Sequence, residues 1–147
     1  MAKQLVRDVM TSNPKTIKSG DTLQHAAEMM RDAAIGDLIV MDNSHVEGIV
    51  TDRDIVVRAV ADGADPKAAH VRDVCSKAVV TVTPDSPVDE AIRIMRERAI
   101  RRLPVVQGEK PVGVVSLGDL AVERDSNSAL ADISAADPND NRPAPTR

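Results

Sequence analysis

The chain has 147 residues and a formal net charge of −4, with its Lys and Arg spread along the sequence rather than gathered into a block. That argues against a nucleic-acid binder, which needs a basic face for the phosphate backbone, and the complete absence of Phe, Tyr and Trp removes any stacking platform for single strands. No apolar run approaches the roughly 20 residues that span a bilayer, and the N-terminal "MAKQLVRDVM" lacks the apolar stretch of a signal peptide, so no membrane partner and a cytoplasmic location are expected.

In chain order, "VRDV" at 6–9 comes first, followed by a short β segment, "KTI", at 15–17. Leu23, Ala26, Ala27, Met30 and Ala34 then recur at the spacing of one helical face, and Asp21 with Gln24 three residues on fits an N-terminal cap. Two runs of β-forming residues, "LIVM" at 38–41 and "VEGIVT" at 46–51, flank the polar turn "DNSH" and predict a hairpin. A second helix is expected over "DRDIVVRAVADG", with Ile55, Val56, Ala59 and Val60 on one face and Gly63 as its stop. "ADGADPKAAH" at 61–70 is a short connector.

The chain then repeats itself. A shift of 65 positions aligns Val6 to Val57 with Val71 to Val122 without a gap, and about a third of the pairs are identical. "VRDV" returns at 71–74 and a β segment at "VVTV", 79–82. Ser86 and Pro87 then open a helix lined by Val88, Ala91, Ile92, Met95 and Ala99, and "LPVV", "QGEK" and "PVGVVS" rebuild the hairpin before "LGDLAVER". Each unit reads β-α-β-β-α. A unit of about 60 residues is marginal alone, so the two are expected to pack sheet to sheet as one α/β (α+β) module, with repeat one at 1–64 and repeat two at 65–125. Residues 126–147, rich in Asp, Asn, Ser, Ala and Pro, are expected to be a flexible polar tail.

Cys75 is the single cysteine, which rules out an intrachain disulfide and suits a buried apolar position in a reducing compartment. His25, His45 and His70 stand far apart with no carboxylate or thiol at ligand spacing, so no metal site is expected. The repeated pattern that bears chemistry is a hydroxyl followed three residues later by Asp: Thr51 with Asp54, and Ser116 with Asp119. Both fall where a strand meets a helix, which is where α/β folds bind ligands. A carboxylate can accept both hydroxyls of a ribose in a fork, each bond contributing roughly 1.5–3 kcal/mol. The same spacing also spells a capping box, in which the two side chains serve only the helix start.

The double unit resembles a pair of cystathionine β-synthase (CBS) domains from about Leu5 to Arg124. The resemblance rests on the early "VRDVM", the "LIVM" and "RRLPVV" strands and the paired "GIVTDRD" and "GVVSLGD". It implies two pseudo-symmetric clefts, each able to hold an adenine nucleotide: AMP, ADP, ATP or S-adenosylmethionine. By position, Thr51 with Asp54 and Ser116 with Asp119 would hold two riboses. Backbone near Thr16, Ile17, Thr81 and Val82 would border the base, between apolar walls at Ile35, Val40, Ile100 and Val105. Arg101 and Arg102, then Arg53, would take phosphate; the alternative for them is a solvated charged turn.

Unit one departs from the pattern. It has Ile39 where Pro104 stands in unit two, and Gly36 and Asp37 where unit two has the two arginines, so its Asp37 would repel phosphate and the clefts are not expected to be equivalent. The resemblance also implies a homodimer. The expected function is a regulatory adenine-nucleotide sensor that passes a change of shape to an effector protein. The alternative is a stress-related interaction module with vestigial clefts. No Ser-His-Asp, Cys-His or metal constellation supports an enzyme.

Overall fold

The computed structural model describes residues 4–77 and 80–124, with side chains up to residue 121. The expected tail, and residue 79 of the second unit's first β segment, lie outside the described residues. Within them, the first unit contains α1 (Val6–Val9), β1 (Thr11–Ser12), β2 (Thr16–Lys18), α2 (Leu23–Ala33), β3 (Asp37–Asp42), β4 (His45–Thr51) and α3 (Asp52–Asp54), which widens into a π-helical turn over Ile55–Val60. The second contains a 3-10 turn (Val71–Asp73), β5 (Ser76–Lys77), α4 (Val88–Arg98), β6 (Arg102–Gln107), β7 (Lys110–Ser116) and α5 (Leu117–Arg124).

Two sheets result, a mixed one in the order β2-β3-β4-β5 and one of antiparallel strand pairs in the order β1-β7-β6. In the first, β2 runs parallel to β3, which forms an antiparallel hairpin with β4; Val82 makes the matching parallel bridge to Val105 in the second. The hairpins share even their irregularity, a register shift at Val40/Met41 and again at Val105/Val106. The hairpin turns carry Asn43 and Gly108, with φ of 57° and 64°, at equivalent positions. Asn and Gly are the residues that tolerate this left-handed backbone.

The strand orders contain a crossing. β1 of the first unit pairs with β7 of the second, and β5 of the second pairs with β4 of the first. The apolar residues follow: Val6 lies in the core built by the second unit, while Val71, Val74 and Cys75 lie in the core built by the first. Backbone bonds repeat under the same 65-position shift. Val6 N–H donates to Ser86 O (2.8 Å) and Val71 N–H to Asp21 O (2.9 Å); Val88 N–H donates to Gln4 O (2.9 Å) and Leu23 N–H to Ala69 O (3.1 Å). Each leading segment thus satisfies an orphan N–H of the other unit's main helix. Gly48 and Gly113 sit under the crossings. A Cβ at Gly48 would stand 2.1 Å from Ser76 O, and one at Gly113 would stand 2.7 Å from Met10 Sδ and 2.9 Å from Thr11 O.

Several local expectations change. The α2 cap is Thr22, whose hydroxyl accepts from His25 N–H at 3.2 Å, rather than Asp21, whose carbonyl serves Val71. Ser86 does not cap α4 either: its hydroxyl accepts from Thr83 N–H, and Gln4 supplies the carbonyl that the helix start needs. Ala34 and Ala99 are not part of the helical faces but end α2 and α4 in left-handed conformation, with φ of 56° and 54°. The expected single face of the second helix splits, because the wider π turn carries Ala59 inward and leaves Val56 57% and Val60 59% exposed.

Candidate functional site

Thr51 and Ser116 end β4 and β7, and Asp54 and Asp119 lie in the helical turns that follow. Both pairs form capping boxes. Asp54 N–H donates to Thr51 Oγ1 (3.1 Å) and Thr51 N–H to Asp54 Oδ2 (3.0 Å); Asp119 N–H donates to Ser116 Oγ (3.0 Å) and Ser116 N–H to Asp119 Oδ2 (2.9 Å). The capping alternative is therefore realised twice. It does not use up the carboxylates, since each oxygen has two lone pairs and the box consumes one of four. The two differ in what remains: Asp54 Oδ1 faces Arg58 Nε at 3.8 Å, whereas no described residue is bonded to Asp119 Oδ1.

Asp119, Ser116 and Val114 open onto a cleft of about 800 Å³ whose facing walls come from the first unit: Ile35, Gly36, Asp37 and Asp52, with Lys15 and Arg31. Arg102 also lines it and is paired with Asp37 at 2.5 Å, its side chain 37% exposed and that of Asp37 22%. Residues 37 and 102 are equivalents under the 65-position shift, so duplication has placed opposite charges on the same site of each repeat and the fold has brought them together. Burial pushes the Asp37 carboxyl up from its ordinary range and outweighs the pull of Arg102, while the charges of Asp119 and Asp52 push it further up.

A second cleft, of about 620 Å³, lies wholly within the second unit, among Ile92, Met95, Ile100, Leu117 and Leu120 with Arg96 and Arg101. Arg101 and Arg102, expected side by side on a phosphate, are therefore divided between two clefts. Neighbouring residues entering a strand point to opposite faces. Arg53 is exposed and lines neither; Thr51 and Asp54, both half-buried, line neither as well.

Of the residues expected around the base, Ile35 lines the larger cleft and Ile100 the smaller. Val40 and Val105, expected as walls, are 0% exposed within the two cores, and Ile17 and Val82 are buried with them, which leaves only backbone for a ligand. Thr16 and Thr81 are exposed. The large cleft thus unites Ser116, Asp119, Ile35 and Arg102. It adds Asp52 and the leading-segment residues Thr11, Asn13 and Pro14, which the repeat pattern did not single out. Burial of Cys75 pushes its thiol pKa up and disfavours the thiolate. Among the described residues no group of three or more His, Cys, Asp or Glu stands at metal-binding distance, and no helix is long and apolar enough to cross a membrane.

A duplicated α/β unit with exchanged leading segments and a cleft between the copies defines a tandem-repeat module. The CBS domain profile matches residues 6–60 and again 71–125, and this chain belongs to that family. It is 38% identical over 133 residues to the CBS domain-containing protein YhcV of Bacillus subtilis, covering 88% of this chain and 94% of that one. Among solved structures it is similar to a hypoxic response protein with two coordinated zinc ions (32% identity, TM-score 0.72, 80% of this chain and 97% of that one). It is also similar to a CBS domain pair in complex with 5′-methylthioadenosine and S-adenosyl-L-methionine (26%, TM-score 0.76, 86% and 100%), and to a hexameric CBS-CP12 protein from cyanobacteria (31%, TM-score 0.74, 86% and 74%). The family also occurs inside enzymes: 126 residues match an inosine-5′-monophosphate dehydrogenase of Nitrosopumilus maritimus at 34% identity, over 25% of its length. CBS pairs are commonly regulatory modules that bind nucleotides or related ligands.

Proposed function

We propose that this chain is a regulatory sensor, not itself an enzyme, that binds an adenine ligand (AMP, ADP, ATP or S-adenosylmethionine) in the large cleft and passes the change to an effector in the cytoplasm. The observation that carries this reading is the Ser116–Asp119 box. It pins one carboxylate oxygen on backbone and leaves the other unclaimed by described residues in a cleft with the size and apolar wall a nucleoside needs. Ser116 and Asp119 hold the ribose and Ile35 faces the base. Binding shifts the angle between the repeats only to the extent that the ligand prefers one arrangement, and a cleft lined by both repeats supports such a preference.

A homodimer completes the reading. Val56, Val57, Val60 and Leu117 stand exposed on the helical turns after β4 and β7. Fully burying one such side chain is worth roughly 1.5 kcal/mol or more, so covering four is a sizeable drive to self-association. A specific observation favours a second reading for the other half of the pattern. Asp54 is already engaged by Thr51 and Arg58, so a cleft served by Thr51 and Asp54 is vestigial and that side is left to protein contacts.

The test is thermal unfolding with each ligand, followed by circular dichroism because the chain has no intrinsic aromatic fluorescence. Ligand at a hundred times its dissociation constant adds about 2.7 kcal/mol of stability. Wild type and Asp54→Ala should shift, and Asp119→Ala should not. A shift with none of the ligands at millimolar concentration rejects the sensor.

A further inference from the structure

The pairing of Asp37 with Arg102 bears on which adenine ligand the cleft accepts. A nucleotide differs from its nucleoside by a phosphate carrying about −1.5 to −2 charge, and it needs a cation free to receive it. Arg102 is the guanidinium that the second repeat places in this cleft, and Asp37 of the first repeat already holds it at 2.5 Å. A phosphate reaching Arg102 must displace a carboxylate or share it, against the repulsion of that carboxylate. Asp52 and Asp119 line the same cleft and add to the negative field, which their effect on the Asp37 carboxyl registers. The remaining cations do not reverse this balance. Arg31 is bonded to Asp32 at 2.8 Å, and Lys15 is solvent-exposed, where screening weakens its attraction.

We propose that Asp37 is a specificity-determining residue that, by occupying Arg102 across the repeat boundary, makes the large cleft prefer adenosyl ligands with a neutral or positively charged 5′ group over 5′-phosphorylated ones. This rests on the sensor reading and narrows its ligand class. A neutral nucleoside leaves the ion pair intact while Asp119 takes the ribose hydroxyls.

The experiment is calorimetric titration of the full chain with adenosine and with AMP, in wild type, Asp37→Asn and Asp37→Glu, each first checked for native circular dichroism. Wild type should bind adenosine at least about tenfold more tightly than AMP. Asp37→Asn should move the preference toward AMP by about tenfold or more. Asp37→Glu, which keeps the charge and serves as the folding control, should retain the wild-type preference. Adenosine binding with a preference that Asp37→Asn leaves unmoved overturns the role of Asp37 while leaving the sensor reading in place. Binding of neither ligand to any of the three proteins overturns both.

Discussion

The two repeats carry Gly36 and Arg101, Asp37 and Arg102, and Asp52 and Leu117 at equivalent positions, and these exchanges turn one duplicated scaffold into two unlike cavities. The cleft between the repeats collects Asp37, Asp52, Asp119 and Arg102. The cavity inside the second repeat has Ile92, Met95, Leu117 and Leu120 for walls. The backbone is far more conservative than this chemistry. Both capping boxes, both hairpin register shifts and both crossings of the leading segments recur at the 65-position interval. The scaffold is held by elements that repeat, and the chemistry of the cavities changes at strand-end positions where the repeats differ.

The largest expected effect tests whether the two crossings are equally tight. Gly48→Ala forces a Cβ onto the backbone oxygen of Ser76, which cannot yield without unpairing β5, and should cost about 3 kcal/mol or more in urea unfolding. Gly113→Ala meets the flexible Met10 side chain as well as Thr11 O, at longer distance, and should cost about 1–2 kcal/mol. Equal costs would mean that the crossings are not distinguished by the neighbour each glycine meets.

Next are the carboxylates. Asp54→Ala and Asp119→Ala each lose the same reciprocal cap, so each should destabilise the unliganded chain by about 1 kcal/mol, measured by urea midpoint. Only Asp119→Ala should also abolish ligand stabilisation. A stability loss confined to one variant would break the structural symmetry of the pair.

A smaller effect of about 0.5–1 kcal/mol is expected where the repeats share a backbone strain. Ala34→Gly and Ala99→Gly relieve left-handed conformations at the ends of α2 and α4, and each should raise the unfolding midpoint. The smallest concerns pH. A carboxyl whose pKa is raised in the folded state binds its proton there first, so its contribution to stability is lost as pH rises through the folded value and is regained as pH falls toward its ordinary 3.8. Wild type should therefore gain stability relative to Asp37→Asn as the pH is lowered from neutral to about 4 in parallel urea titrations. A relative loss would mean that Arg102, rather than burial, governs Asp37.

The duplication, the hairpins, the main helices and the hydroxyl–Asp pairs were legible because each leaves a periodic or positional trace. The exchange of leading segments was not. The apolar residues of "VRDV" specify that Val6 and Val71 are buried, but two cores built on the same pattern accept either copy equally, so the pattern is silent on which one they enter. Val40 and Val105 look alike as cleft wall or core for the same reason: an apolar strand residue suits both. The separation of Arg101 from Arg102 was present in strand alternation, and Asp37 was visible as a charge against phosphate, but its pairing with Arg102 required the three-dimensional relation between equivalent positions. The capping box and the ribose clamp share one spacing, and in the second repeat the box leaves one Asp119 carboxylate oxygen unclaimed by described residues.

The most direct test of ligand binding between the repeats uses the chain's lack of Phe, Tyr and Trp, so that a bound base adds strong ring-current shifts to a background free of theirs. Isoleucine-methyl NMR during titration with adenosine should move Ile35, in the cleft with Asp119, and leave Ile92 and Ile100 in place. Movement of Ile92 and Ile100 with Ile35 unmoved would contradict the account.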